Sequence, residues 1–179
     1  WATQGVRAIR GNNYATLRTV ACGGARHEFE CYLAVLNVEN VPRGWYHYMP
    51  DHHALERIGE AVPTDEQVSE TLCDQKWAAK AGAVFYYSVL PYRAEWRYGV
   101  WAHRTALIDA GHITENLYVA CAGAGLGTCA IAAVDHHAAD PIFTLDGEDE
   151  FIFYAAPVGA IDPADAEAEN AFYAFLKEE

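Results

Sequence analysis

Lysine is almost missing from this chain. Only three Lys occur in 179 residues, and Lys and Arg together number 12 against 25 Asp and Glu, a formal charge of −13. Phosphate backbones are held by clustered cations, so this balance works against a nucleic-acid partner and points to solubility or a salt-loving source, not to a reaction. Long apolar runs are also missing. The longest, Ala78 to Leu90, is interrupted by Lys80 and falls well short of the roughly 20 residues that span a bilayer. The five cysteines (Cys22, Cys31, Cys73, Cys121, Cys129) include no CxxC pair, and their odd count fits buried thiols in a reducing cytoplasm better than a disulfide framework. No charged-then-apolar leader opens the sequence at Trp1, so no segment reads as a secretory signal. Repeats and low-complexity linkers are absent too. What is present is a chain about half apolar and long enough for one domain with a sizeable core.

The most informative stretch runs from Trp96 to Gly127. Leu107, Ala110, Ile113, Leu117, Ala120, Cys121 and Ala124 recur at spacings of three and four, which predicts a long helix from Arg104. Small residues crowd its second half, where a backbone or a flat ligand can approach, and Gly125-Leu-Gly127 is a glycine-rich stop. Thr128 to Val134 reads as a buried strand. Ahead of the helix, a loop carrying Arg93, Trp96, Arg97 and Tyr98 brings cations and a phenol together.

Taken in order, Trp1 to Arg18 with its polar patch GNNYATLR reads as a loop or junction. Cys22-Gly23-Gly24-Ala25-Arg26-His27 is a turn whose glycines permit unusual backbone angles and close approach, flanked by Arg18 and Arg26, which would suit an anion. Phe29 to Leu36 and Trp45 to Met49 form a predicted hairpin through the turn at Asn40 to Gly44. His53 to Glu60 reads as a short helix. Thr64-Asp-Glu-Gln67 has the spacing of a capping box and opens a helix expected to run to about Lys80. Ala83 to Leu90 is a central strand stopped by Pro91, Asp135 to Leu145 is short and helical, and Glu150 to Pro157 is the last strand. Asp162 caps a closing amphipathic helix from Pro163 to Lys177. Strands and helices mix without strict alternation, which points to an α+β layered domain and not to a doubly wound sheet.

These motifs, WATQG, RTVACGGARHEFECYL, GWYHYMPDHHALERIGE, WRYG, HRTALIDAGHITENLYVACAGAGLG and FIFYAAPVG, occur in an order that resembles the SagB-type thiazoline and oxazoline dehydrogenase branch of the nitroreductase superfamily, across essentially the whole chain. The resemblance implies a nitroreductase-like α-β-α layered fold with a mainly antiparallel central sheet. It also implies an FMN cofactor, and a homodimer with each flavin at the subunit interface. The implied reaction is oxidation of a five-membered azoline ring in a peptide, or of a related C–N heterocycle, to the aromatic azole, with biosynthetic complex partners possible. The family's serine-glycine-glycine loop falls on Cys22, Gly23, Gly24, Ala25 and Arg26, with Cys22 in the serine's place and Glu28 where a proline usually closes the loop. The lysine-tyrosine pair credited with base work falls on Arg97 and Tyr98. Arginine stays protonated and cannot serve as a base, so the resemblance gives that role to Tyr98, with Arg97 steadying the developing charge. The family's arginine-rich grip on the FMN phosphate has no counterpart ahead of Trp1, and the expectation is a domain lacking that N-terminal segment.

Other readings stand beside this one. Gly127, Ile131, Ala132 and Ala133 are expected to offer backbone N–H groups to the flavin edge. His112, Glu115 and Asn116 share a helix face and are expected to form a buried polar network, with Asn116 toward the cofactor. The Asp-His-His triplets at 51–53 and 135–137 are expected at the surface and not on a metal, since adjacent histidines on a helix diverge. A nucleophilic Cys22–His27 pair lacks an orienting third group. Two rival functions remain, an FMN nitro- or quinone reductase fed by NAD(P)H and a flavin-free scaffold subunit of a peptide-modifying complex.

Overall fold

The computed structural model describes residues 1–11 and 15–178. A small antiparallel ribbon, β1 (Val6–Arg10) and β2 (Ala15–Arg18), leads into the main body. The sequence pattern suggests only a loop here, because a two-stranded ribbon with mostly exposed side chains has no buried face to leave a signal. Asn12, Asn13 and Tyr14 of the polar patch lie outside the described residues.

A six-stranded sheet follows, built from β3 (Phe29–Val35), β4 (Gly44–Met49), β5 (Ala54–Arg57), β6 (Ala83–Val89), β7 (Leu126–Thr128) and β8 (Phe151–Ala160) in the order β5-β4-β3-β6-β8-β7, each neighbouring pair antiparallel. The helices are α1 (Asp65–Thr71), α2 (Pro91–Tyr98), α3 (Ala102–Ala124), α4 (His136–Ala139) and α5 (Pro163–Glu178). Side chains alternate across a strand, and here the alternation separates two cores. Tyr32, Ala34, Trp45, Val84 and Tyr86 pack toward Val68 of α1, Leu72 just after it and Phe143 beyond α4. Cys31, Leu33, Tyr46, Tyr48 and Tyr87 pack toward Ala110 and Ile113 of α3. The α+β layered architecture, with an antiparallel centre, is as expected.

Several boundaries differ from the sequence reading. The segment from His53 to Glu60 contains edge strand β5, not a helix. His53 takes a left-handed φ of 49° that reverses the chain, and Leu55 pairs opposite Tyr48. The capping box at Thr64 is formed in both halves, but α1 ends at Thr71, because Cys73 and Asp74 adopt consecutive positive φ angles of 52° and 63° with no glycine to announce the stop. Pro91 ends β6 and starts α2, so the segment holding Arg93, Trp96, Arg97 and Tyr98 is a helix where a loop is expected; proline fits a first helical turn.

The expected strand from Thr128 to Val134 shrinks to β7 and one isolated bridge, Ile131 to Ala155. The residue opposite the next position is Pro157, which has no N–H to continue the ladder. Gly125 closes α3 at φ 69°, as expected of a glycine cap. Helix α5 forms from Pro163, with Asp162 Oδ1 accepting from the Ala164 N–H, yet Phe172, Phe175 and Leu176 remain exposed along it.

Candidate functional site

The double-glycine turn lies against the first half of α3. Gly24 has a φ of 58°, and Ala25 (53°) and His27 (51°) share that left-handed region, which costs a non-glycine residue roughly 1–2 kcal/mol. Three such residues in four mark a segment held in place by its surroundings. The Gly23 N–H donates to Asp109 Oδ2 at 2.8 Å, and a Cβ on Gly23 would collide with the Thr105 methyl. On Gly24 a Cβ would lie 2.6 Å from the Tyr98 hydroxyl and 2.8 Å from Arg97 Nε. The fold thus brings Arg97 and Tyr98, 73 residues downstream, directly onto the turn. Arg97's guanidinium carbon stands 5.8 Å from the Tyr98 ring centre.

Much of the turn's hydrogen bonding is internal. Ala25 N–H donates to Cys22 O, Arg26 N–H to Gly23 O, and His27 N–H to the Cys22 sulfur at 3.0 Å. Burial pushes the Cys22 thiol up, and the Glu28 charge adds to the shift. A nucleophilic Cys22–His27 pair is therefore not what the geometry builds: the contact comes from the His27 backbone, and the thiol is held in its unreactive form. Burial, then the charge of Arg18, lowers the His27 imidazole to about 4.

Beside the turn opens a cleft of about 410 Å³ into which Arg18, Arg26 and Arg93 project, with Thr16, Glu30 and Trp96 in its walls. Arg18 donates to Gln4 Oε1 at 2.7 Å, and Arg26 donates to Gly24 O while lying 4.8 Å over the Trp96 ring. Arg93 holds both Glu30 and the His27 carbonyl. Burial works to raise the Glu30 carboxyl, but contacts from His47 and Arg93 carry it below its ordinary range. Three guanidinia against one carboxylate make this cleft locally cationic on a strongly acidic chain, which suits a phosphate or carboxylate ligand.

The remaining candidates lie elsewhere. Gly127 lines a separate groove of about 560 Å³ with Thr128, Cys129, Gly159, Trp77 and Lys80. Ile131 is buried and its N–H is engaged with Ala155 O, whereas Ala132 and Ala133 are exposed. At 1.5 Å per residue, about 24 Å of helix separates Asp109, under the turn, from Gly125. Within one chain the two sets cannot touch a single small molecule. Asn116 sits between them and donates to Ala2 O and Thr19 O, tying the N-terminal segment to α3. The expected buried network of His112, Glu115 and Asn116 does not form. His112 and Glu115 face outward, and His112 pairs with Asp109 at 3.3 Å.

Asp109, Glu30 and Gln4 escape the sequence reading. Asp109 leaves one trace, an acidic residue set among Ala106, Ala110 and Ile113 on the apolar side of a helix, where an unpaired carboxylate is rarely tolerated. Arg93 was legible only as a cation near the aromatic pair. Both Asp-His-His triplets lie largely at the surface, as expected.

Comparison with known proteins agrees with this geometry. The sequence pattern of the Nitroreductase family matches residues 15–160. A Methanocaldococcus jannaschii protein whose name assigns it to the nitroreductases is 31% identical over 137 residues, covering 74% of this chain and 64% of its own. The trifolitoxin-processing protein TfxB of Rhizobium leguminosarum bv. trifolii is 29% identical over 143 residues, covering 75% of this chain and 38% of its own. This chain therefore spans under two thirds of either relative. Among solved structures, the E. coli microcin synthetase McbBCD complex with truncated pro-MccB17 bound superimposes with a TM-score of 0.72 at 22% identity, covering 90% of this chain and 62% of that one. With the fold and the sequence match in agreement, the chain belongs to the Nitroreductase family.

Proposed function

We propose that this chain is an FMN-dependent oxidoreductase that works as a pair of copies and dehydrogenates an azoline ring, or a related C–N heterocycle, in a peptide. One observation carries the reading: the residues expected around a flavin fall at opposite ends of α3, a helix of about 35 Å on whose outer face Leu107, Ile108, Tyr118 and Val119 stand exposed among Arg104, His112 and Glu115. Leu107 and Val119 are 62% and 63% exposed on that helix, with Val100 and Trp101 at 81% and 65% just before it. Gly111 and Gly123 have nothing within 4 Å of where a Cβ would sit. An isologous two-fold pairing along this face would set the turn of one copy beside the Gly127 end of the other, completing two sites at once. Exposed apolar area of this extent calls for a partner.

The residues present suit FMN. Its phosphate matches the cleft of Arg18, Arg26 and Arg93, and a flat ring needs the side-chain-free approach that a glycine such as Gly127, in the wall of its groove, gives. When bound, FMN supplies the two-electron acceptor. Tyr98 is the side chain beside the turn suited to take the proton released from the substrate ring, and Arg97 steadies the resulting charge while itself remaining protonated. The peptide substrate is favoured over a free nitroarene by the order of motifs and by relatives named for trifolitoxin processing and microcin synthesis.

The test is direct. The full-length protein, loaded with FMN, is given a thiazoline-containing peptide, and mass spectrometry follows the loss of two hydrogen atoms. Turnover of the peptide, with a flavin spectrum present, supports the reading. Flavin bleaching by NADH with no peptide oxidation turns it into a nitro- or quinone reductase, and failure to take up flavin leaves a scaffold subunit.

A further inference from the structure

Beside the double-glycine turn, the side chains of Cys22, Glu28 and Asp109 converge. The Cys22 thiol donates to Glu28 Oε2 at 3.3 Å, and one ligand atom each from Cys22, Glu28 and Asp109 lie within 4.8 Å of one another. Glu28 is wholly buried and Asp109 is 2% exposed. Asp109 accepts the Gly23 N–H at Oδ2 and faces His112 Nδ1 at Oδ1. The other oxygen of the Glu28 carboxyl, Oε1, is buried with no hydrogen-bond partner at all. A buried carboxylate oxygen with no donor is costly, and the usual remedies are a donor or a metal. Arg18, the cation on the adjoining strand, directs its bonds to Gln4 and Thr16. Among the described residues no other group of His, Cys, Asp and Glu converges in this way.

We infer that Cys22, Glu28 and Asp109 form a binding site for one divalent cation of the zinc class. The donor set is right for it: a thiolate and two carboxylate oxygens make three protein ligands, and a water takes the fourth position of a tetrahedron. Zinc bonds of about 2.3 Å to sulfur and about 2.0–2.2 Å to oxygen put neighbouring ligand atoms about 3.4–3.6 Å apart. Cys22 and Glu28, at 3.3 Å, need to part by only a few tenths of an ångström, and small rotations bring Asp109 in. On binding, the metal displaces the thiol proton to solvent, takes that proton's place between Cys22 and Glu28, and offsets two of the three ligand charges. His112 then orients Asp109 from outside the ligand shell. The consequence is structural: the ion fastens the turn at 22–24 to α3 and holds its left-handed residues in place. The site needs no flavin, so its fate is separate from that of the redox reading.

The experiment uses the full-length protein stripped with a chelator and titrated with Co²⁺, then Zn²⁺. Cys73 and Cys129, the exposed thiols, are first changed to serine to remove competing sulfur. The expected result is one Co²⁺ per chain with a thiolate-to-metal charge-transfer band in the near ultraviolet, bleached by one equivalent of Zn²⁺, and a Tm raised by Zn²⁺. Cys22→Ser should abolish the band, and Glu28→Gln should weaken binding by more than about 100-fold, beyond the 10–100-fold typical of residues outside the ligand shell. A near-isosteric change at Glu28 leaves the core filled, and circular dichroism checks the fold. If wild-type protein shows no thiolate band up to millimolar Co²⁺, or Glu28→Gln binds as tightly as wild type, the site is overturned and the three groups share protons instead.

Discussion

The two ends of α3 are built on opposite principles. At its N-terminal half, the turn at 22–24, Arg97, Tyr98 and Asp109 interlock through hydrogen bonds and charge, and three arginines crowd an adjacent cleft. At its C-terminal end, Gly123 and Gly125 have open space around them, and Gly127 lines a wide groove with Thr128, Cys129 and Lys80. One end carries functional groups and the other carries room. Neither suffices as a redox site, and because the same helix holds them apart, a complete site on the proposed reading takes one end from each of two copies.

The sharpest way to break this contrast is to disarm the chemical end alone. Tyr98→Phe should lower peptide dehydrogenation by about 100-fold or more, the usual share of a general base, with flavin absorbance retained. Cys129→Ser in the open groove should leave the rate within a factor of two or so. Full turnover in Tyr98→Phe would remove the assigned base. Next in size, a charge on the helix face between the ends should separate the copies. Ile108→Glu, at a side chain 50% exposed, should weaken self-association by roughly 30-fold or more, read by sedimentation, while the isolated chain keeps its circular dichroism. An unchanged dimer would place the interface elsewhere.

Gly23→Val probes how tightly the turn is packed. The new side chain meets Thr105 and should cost about 1–3 kcal/mol in urea unfolding, whereas Gly111→Ala, with open space around it, should cost the folded single chain nothing. A pH series sharpens the same end. His27 has a folded pKa of about 4, below its ordinary value, so the unfolded chain binds the proton first as pH falls. Its contribution to stability is complete above about pH 6.5 and is lost progressively down to about 4. His27→Asn, which tolerates the left-handed backbone, should flatten the stability slope between pH 7 and 4.5. The smallest effect belongs to a control far from either end: Thr64→Ala removes one half of the capping box and should cost about 1 kcal/mol without altering self-association or rate.

Much of this was legible in the residues. The period of α3, its glycine stop, the Thr64 box and the β-rich run from Phe29 to Leu36 are local signals, and each marks an element that forms, although α1 is shorter than expected. The failures share a cause. Strand β5 and the ribbon β1–β2 are stabilised by edge pairing, which leaves no apolar period, and α1 stops on two left-handed residues that are not glycine. In the site, the glycines and the arginine-tyrosine pair could be read as separate motifs. Their meeting at Gly24 could not, because 72 residues of chain, including the strands β3 to β6, intervene.

By itself the sequence determined the elements whose stabilisation is local, namely helical stripes, caps and β-rich strands, together with the acidic charge of the chain. Tertiary structure decided which motifs became neighbours. It put Cys22, Glu28 and Asp109 in one pocket, gathered Arg18, Arg26 and Arg93 in another, and held the two glycine segments a helix length apart. The physical reason is that hydrogen-bond periodicity and capping act over a few residues, whereas burial and charge act through space, and only the folded chain sets those distances.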